Sequence, residues 1–157
     1  MAALSLPDQV KMPRTHDLPQ KSGCVLLAEA HLGLSEGTRG LLATVFAAVV
    51  MVADEVSLFE SASRLHSDVA VIDLALPGRN GLELIRRFRR DFPAIKVIVI
   101  SVHDELSVSR SVLEAGAHAF IIKRSIATDL LDAVDSVLSD LPYVSPELAK
   151  NAHQFPG

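Results

Sequence analysis

An apolar run that ends in one carboxylate, VAVID at 69–73, limits most strongly what this chain can fold into. The run predicts a strand buried on both faces, and a loop with Gly78, Asn80 and Gly81 follows it. A carboxylate in apolar surroundings costs free energy unless it has a partner or a chemical role. Because ligands of open parallel sheets bind at the carboxyl ends of the strands, Asp73 is the first candidate for a functional residue.

Strand and helix patterns alternate through the middle of the chain. Short apolar runs predict strands at 24–28, 49–53, 69–73, 96–101 and 119–122. Apolar residues at helical spacing follow each run, with Ser35 and Ser125 as predicted N-caps and a last helix reaching Leu141. This alternation predicts an α/β fold, a doubly wound five-stranded parallel sheet in the order 2-1-3-4-5.

The ends of the chain have little periodic pattern. Prolines interrupt residues 1–21 and 142–157. We therefore predict a flexible N-terminal tail over 1–21, a folded domain over 22–141 and a C-terminal tail over 142–157.

Composition and charge exclude several classes of protein. Hydrophobic residues make up 49% of the chain and the formal net charge is -4, which favours a globular domain over a disordered or nucleic-acid-binding one. The arginines within 86–90 suit the end of a helix, and the one cysteine, Cys24, suits the core. The chain has no long apolar run and no secretory signal pattern, so we expect a cytoplasmic protein without membrane contact.

Polar residues follow the predicted strands where these end. Glu29 follows the first strand, Asp73 and Ser101 end the third and fourth, and Lys123 follows the fifth. In a parallel sheet these positions share one edge. Two carboxylates and phosphate oxygens are ligands that Mg²⁺ accepts, and a carboxylate can act as a covalent nucleophile. The set therefore predicts a site that accepts a phosphoryl group.

Three segments, in order, resemble the receiver domain of response regulators in two-component signalling, over about 120 residues. They are DLALPGRNGLELIRRFR from Asp73, SVHDE from Ser101 and EAGAHAFIIKRS from Glu114. The resemblance is greatest to receivers whose output is a helix-turn-helix DNA-binding domain.

The resemblance implies a flavodoxin-like receiver fold and a role for each residue of the set. Asp73 would accept the phosphoryl group from a sensor histidine kinase or a phosphotransfer protein. Ser101, Lys123 and Phe120 would be the phosphate-binding and switch residues. Mg²⁺ would bind Glu29, Asp73 and the backbone carbonyl of Ala75. The family also implies a possible homodimer.

One position departs from the family. Receivers normally carry two adjacent acids after the first strand, whereas this chain has Glu29 followed by Ala30. Fewer ligands predict weaker Mg²⁺ binding, with Asp54 as a candidate substitute. Two alternatives therefore stay open: a degenerate receiver that binds partners without phosphorylation, and a small flavodoxin-like binding or hydrolytic domain. The spacing of the histidines predicts no metal site, so His31 and His103 are interpreted as incidental.

The segment SPEL at 145–148 resembles the point where the DNA-binding subfamily leaves its receiver. The chain extends only nine residues beyond Leu148, so we expect no helix-turn-helix module and no direct DNA binding by this chain. We expect output through partner binding or dimerisation, and a phosphoacceptor rather than a turnover enzyme.

Overall fold

A twisted parallel sheet forms the centre of the computed structural model, which describes residues 21–149. Its strand order is β2-β1-β3-β4-β5-β6, with every neighbouring pair parallel. The strands are β1 Cys24–Ala28, β2 Ala48–Val52, β3 Val69–Asp73, β4 Lys96–Ser101, β5 Ala119–Ile122 and β6 Tyr143–Val144. The predicted order of the first five strands and the α/β class are confirmed.

Helices connect the strands and cover both faces of the sheet. They are α1 Leu32–Leu42, α2 Glu55–Arg64, α3 Gly81–Asp91, α4 Leu106–Glu114 and α5 Ile126–Leu138, with a 3-10 turn at Lys123–Ser125. Alternate residues of the central strands point to opposite faces, which divides the core into two clusters. One cluster lies under α2, α3 and α4, and the other under α1 and α5.

Side-chain caps fix the starts of α2 and α3. Asp54 caps α2 by accepting from Ser57 N at 2.8 Å, and Asn80 caps α3 by accepting from Leu82 N at 2.9 Å. Gly116, at φ 118°, follows the C-cap of α4, as the sequence predicts.

Two predicted helix boundaries are wrong. Ser35 lies inside α1 and bonds back to the Leu32 carbonyl, and His31 occupies the N-cap position without a side-chain bond of its own to the helix. Helix α5 ends at Leu138, and Leu141 is exposed beyond it. A positive φ of 61° at Asp140 turns the chain away from the helix before Leu141.

The segment after α5 belongs to the sheet, in contrast to the predicted boundary at residue 141. Tyr143 and Val144 pair with Ala119 and Phe120, and Leu148 is fully buried in the core. A two-residue strand is too short to show a period in sequence, which is why the sheet was expected to have five strands. Residues 1–20 and 150–157 of the predicted tails lie outside the described residues.

None of the helices within residues 21–149 has the length and apolar character that a membrane crossing requires.

Candidate functional site

Asp73, the predicted acceptor, lies at the carboxyl edge of the sheet, on the strand between β1 and β4. Asp73 ends β3 opposite Ile100 of β4, and its side chain is 3% exposed. Its Oδ1 accepts a hydrogen bond of 2.8 Å from Ala75 N, which holds the carboxylate over the following turn. The Asp73 side chain therefore caps its own loop and is also a buried acid at the edge of the sheet.

One lysine joins the two buried carboxylates of this edge. Lys123 Nζ donates to Asp73 Oδ2 at 2.5 Å and lies 3.1 Å from Glu29 Oε2. The second contact lacks hydrogen-bond geometry, so Glu29 Oε2 is a buried oxygen that accepts no hydrogen bond from the described residues. A single ammonium thus faces two acids, and one negative charge remains in excess.

The pKa values of the three groups follow from this shortage of positive charge. Burial first, and then the nearby Glu29, raise the pKa of Asp73 against the opposing bonds from Lys123 and Ala75 N. Burial acts to raise the pKa of Glu29 as well, but its contacts with Asp73, His31 and Lys123 outweigh burial and lower that pKa. Burial disfavours the charged form of Lys123, yet the two acids raise its pKa. The site therefore attracts further positive charge.

The other predicted site residues lie near this edge in different settings. Ser101 is buried at the end of β4, and its Oγ accepts from His103 N at 3.0 Å. Phe120 is fully buried in β5, paired with Val99 and Val144. Ala75 is exposed in the turn after Asp73. Ser101 ends β4, the strand paired with that of Asp73, whereas Phe120 packs in the core.

His31 is the residue of this site that the sequence interpretation missed. Its Nδ1 lies 3.1 Å from Glu29 Oε1, and its backbone N–H donates to the same oxygen at 3.1 Å. Ligand atoms of Glu29, His31 and Asp73 all lie within 4.8 Å of one another. The sequence feature that could have identified His31 is its position two residues after Glu29, where the chain turns from β1 into α1.

Asp54, the predicted substitute for the missing acid, has another function in the structure. Its side chain caps α2 and is fully exposed to solvent, and the bonds from Ser57 lower its pKa. Ala30 is exposed and offers no ligand from its side chain. The donors that could hold a hard divalent cation are therefore the Glu29 and Asp73 carboxylates, and the buried Glu29 Oε2 fits that chemistry.

The arginines of α3 form ion pairs on the surface of the helix. Arg87 lies over the Phe59 ring and 3.6 Å from both Glu55 and Asp91, and Arg86 lies 3.5 Å from Glu83. Arg89 and Arg90 lie in the last turn of α3, which agrees with the predicted position of the arginines at the end of a helix.

The family model described as "Response regulator receiver domain" matches residues 25–135, and the chain belongs to this family. The transcriptional regulatory protein DegU of Brevibacillus brevis is 30% identical over 129 residues, which are 81% of this chain and 55% of that protein. The response regulator UvrY of Escherichia coli K12 is 30% identical over 130 residues, which are 80% of this chain and 59% of that protein. The chain thus spans little more than half the length of these relatives.

The fold agrees with this assignment. The isolated receiver domain of RcsB from Salmonella enterica serovar Typhimurium, solved with the phosphomimetic BeF3⁻, superposes with a TM-score of 0.74 at 21% identity. The match covers 83% of this chain and 98% of that domain. The chain is therefore a receiver domain of the two-component response regulators, with a flavodoxin-like sheet extended by β6.

Proposed function

We propose that this receiver takes a phosphoryl group from a histidine kinase or a phosphotransfer protein onto Asp73, and that the modified domain changes its partner binding. The observation that carries the proposal is the contact of Lys123 with both Asp73 and Glu29 at the mouth of the sheet. The Asp73 carboxylate, the nucleophile, thus lies next to the Lys123 ammonium, which can move to the phosphoryl oxygens.

The transfer uses the oxygen of one carboxylate. An Asp73 oxygen attacks the phosphorus atom of a phosphohistidine, the P–N bond breaks, and the imidazole nitrogen of the donor keeps the electron pair and takes a proton. The product is an acyl phosphate on Asp73. Lys123 can move from the carboxylates to the new phosphoryl oxygens, and the Ser101 hydroxyl can donate to one of them.

A divalent cation fits the same edge. Glu29 and Asp73 would hold Mg²⁺ with the backbone carbonyl of Ala75, and the ion would neutralise charge on the phosphoryl group as it transfers. Two side-chain carboxylates instead of three reduce the affinity, so we expect Mg²⁺ to bind weakly.

The charge of the phosphoryl group supplies the switch. Phosphorylation adds about -1.5 to -2 charges to an edge that already has excess negative charge. Lys123 immediately precedes Arg124, which lies 3.0 Å from Asp104 before α4 and 2.9 Å from Glu147 after β6. We propose that a movement of Lys123 alters these exposed contacts and with them the surface offered to a partner or to a second copy.

A second candidate rests on Ala30. A receiver that lacks one metal ligand can act as a phosphorylation-independent interaction module, with Lys123 as the permanent counter-ion of the two carboxylates. In either case we propose a cytoplasmic signalling domain that is not a turnover enzyme and makes no direct DNA contact through residues 21–149.

The deciding measurement is intact-protein mass after incubation with acetyl phosphate, with and without Mg²⁺. We expect one phosphoryl adduct that requires Mg²⁺ and that Asp73→Asn lacks completely. The matched control is Asp54→Asn, which changes another aspartate that follows a strand at this edge and should label like the wild type.

Labelling of Asp73→Asn would remove Asp73 as the acceptor. The absence of an adduct in the wild type at saturating Mg²⁺ would favour the interaction module.

A further inference from the structure

After β1, this chain has a nitrogen donor close to the position where receivers normally have a carboxylate donor. Ala30 removes a carboxylate from the position where receivers normally carry a second acid, and His31 follows it at the N-cap of α1. The side chain of His31 is 72% exposed, whereas that of Glu29 is 2% exposed. An exposed nitrogen donor therefore lies next to a buried carboxylate at the same edge of the sheet.

The spacing of these donors suits a coordinated ion. With metal–ligand bonds of about 2.1 Å, neighbouring ligands of an octahedral ion lie about 3.0 Å apart and opposite ones about 4.2 Å apart. Glu29 Oε1 and His31 Nδ1 are 3.1 Å apart, which is already the spacing of neighbouring ligands. The three donors span no more than 4.8 Å, so a shift of about half an ångström would bring them around one ion.

The two oxygens of Glu29 face different partners. Oε1 contacts His31, and Oε2 lies next to Lys123 without a hydrogen bond. An ion on the His31 side can therefore bind Oε1 while Lys123 keeps its contact with Asp73. The exposed side of the ion stays open to water or to a phosphoryl oxygen.

The donor types decide which ion this arrangement prefers. Mg²⁺ favours oxygen donors and keeps several waters, whereas imidazole suits first-row transition ions. We propose that Glu29, His31 and Asp73 form a divalent-cation site in which a ring nitrogen of His31 replaces the oxygen ligand missing at position 30, so that the site prefers first-row transition ions to Mg²⁺.

The inference deepens the proposed function and rests on it only for the use of the ion, because metal binding is measured without a phosphodonor. The experiment is isothermal titration of the full chain, free of metal and of any polyhistidine tag, with Co²⁺ and separately with Mg²⁺. Visible absorption of bound Co²⁺ reports nitrogen ligation. We expect His31→Ala to lose about tenfold or more in Co²⁺ affinity, to change its Co²⁺ spectrum, and to keep its Mg²⁺ affinity.

The chain has six histidines, so the loss must be specific to position 31. His103→Ala is the matched control, because His103 is also exposed and lies 3.5 Å from a carboxylate, that of Glu105. It should bind Co²⁺ like the wild type. Ala30→Asp should raise Mg²⁺ affinity by restoring an oxygen donor and so reduce the preference for Co²⁺.

Unchanged Co²⁺ affinity in His31→Ala would overturn the inference, and so would equal losses for Co²⁺ and Mg²⁺. Circular dichroism of each variant checks the fold, which an exposed side chain should not affect. A failure here leaves the Mg²⁺-dependent labelling of Asp73 as a separate result, and a failure of labelling leaves the metal titration valid.

Discussion

Two buried carboxylates of this domain, Asp73 and Asp129, are stabilised in opposite ways. Asp73 is 3% exposed and shares one lysine with a second acid. Asp129, in α5, is 7% exposed and accepts from the Ser145 hydroxyl at 2.8 Å, while Ser145 Oγ accepts from Ile122 N at 3.0 Å. The Asp129 carboxylate accepts hydrogen bonds from two neutral hydroxyl groups, those of Thr128 and Ser145, and has no ion pair within residues 21–149. The two acids at Asp73 instead share one ammonium, and one Glu29 oxygen has no hydrogen bond.

The difference separates a structural polar group from a reactive one. The bonds of Asp129 and Ser145 join α5, the end of β5 and the segment after β6, so they stabilise the sixth strand. Burial, and next the charge of Asp129, raise the pKa of Tyr143 to about 12. At Asp73 the excess negative charge costs stability and provides an attraction for a cation or for a displaced lysine.

The largest expected effect comes from removing the lysine. Lys123→Met should lower the free energy of unfolding by about 3 kcal/mol, because two buried carboxylates would then face each other without a cation. Urea unfolding at neutral pH measures the change. The matched control is Lys96→Met, whose ion pair with the exposed Asp140 should contribute much less to stability. Equal losses in the two variants would contradict the shared-cation description.

A smaller effect on stability is expected at Asp129 and Ser145. Ser145→Ala should lower the free energy of unfolding by about 2 kcal/mol, because it leaves both Asp129 Oδ2 and the Ile122 N–H without their partner. Thermal and urea unfolding measure it. Ser109→Ala provides the control, since Ser109 is equally buried but bonds only to the Leu106 carbonyl of its own helix. If Ser109→Ala lowers the free energy of unfolding as much, the hydrogen bonds around Asp129 contribute no more than a bond within a single helix.

The smallest expected effect is an increase in stability. Asp73→Asn should raise the free energy of unfolding by up to about 1 kcal/mol at neutral pH, because it leaves Lys123 with one acid and removes the excess charge. The raised pKa of Asp73 means that the native state holds its proton more tightly than the unfolded chain does. Stability from this group is therefore present at low pH and is lost as pH rises through the native pKa.

Unfolding of Asp73→Asn and of the wild type, followed from acid to neutral pH, tests the sign. The advantage of the variant should grow from about pH 3.8, the ordinary value for aspartate, and level off above the native pKa. A variant that is less stable than the wild type at neutral pH would show that Asp73 is as well satisfied as Asp129.

Much of the fold could be predicted because it depends on local patterns. Short apolar runs and helical spacing identified five strands and their helices, and the acid at the end of β3 stood out because it follows four apolar residues. The sixth strand escaped prediction because two residues have no period and its place depends on pairing with Ala119 and Phe120. The N-cap of α1 was misplaced because Ser35 bonds to a carbonyl inside the helix.

The amino-acid sequence alone determined the strand–helix alternation and the acids, serine and lysine at one edge, which follow from local periodicity and from the rule that parallel strands end together. Right-handed crossovers left a few possible strand orders, and the folded chain shows which of them occurs. The sharing of Lys123 between Glu29 and Asp73, the approach of His31 to Glu29 and the burial of Asp129 against Ser145 required the folded chain. Each depends on distances of about 3 Å between side chains whose orientation is set by packing, and no sequence period encodes such distances.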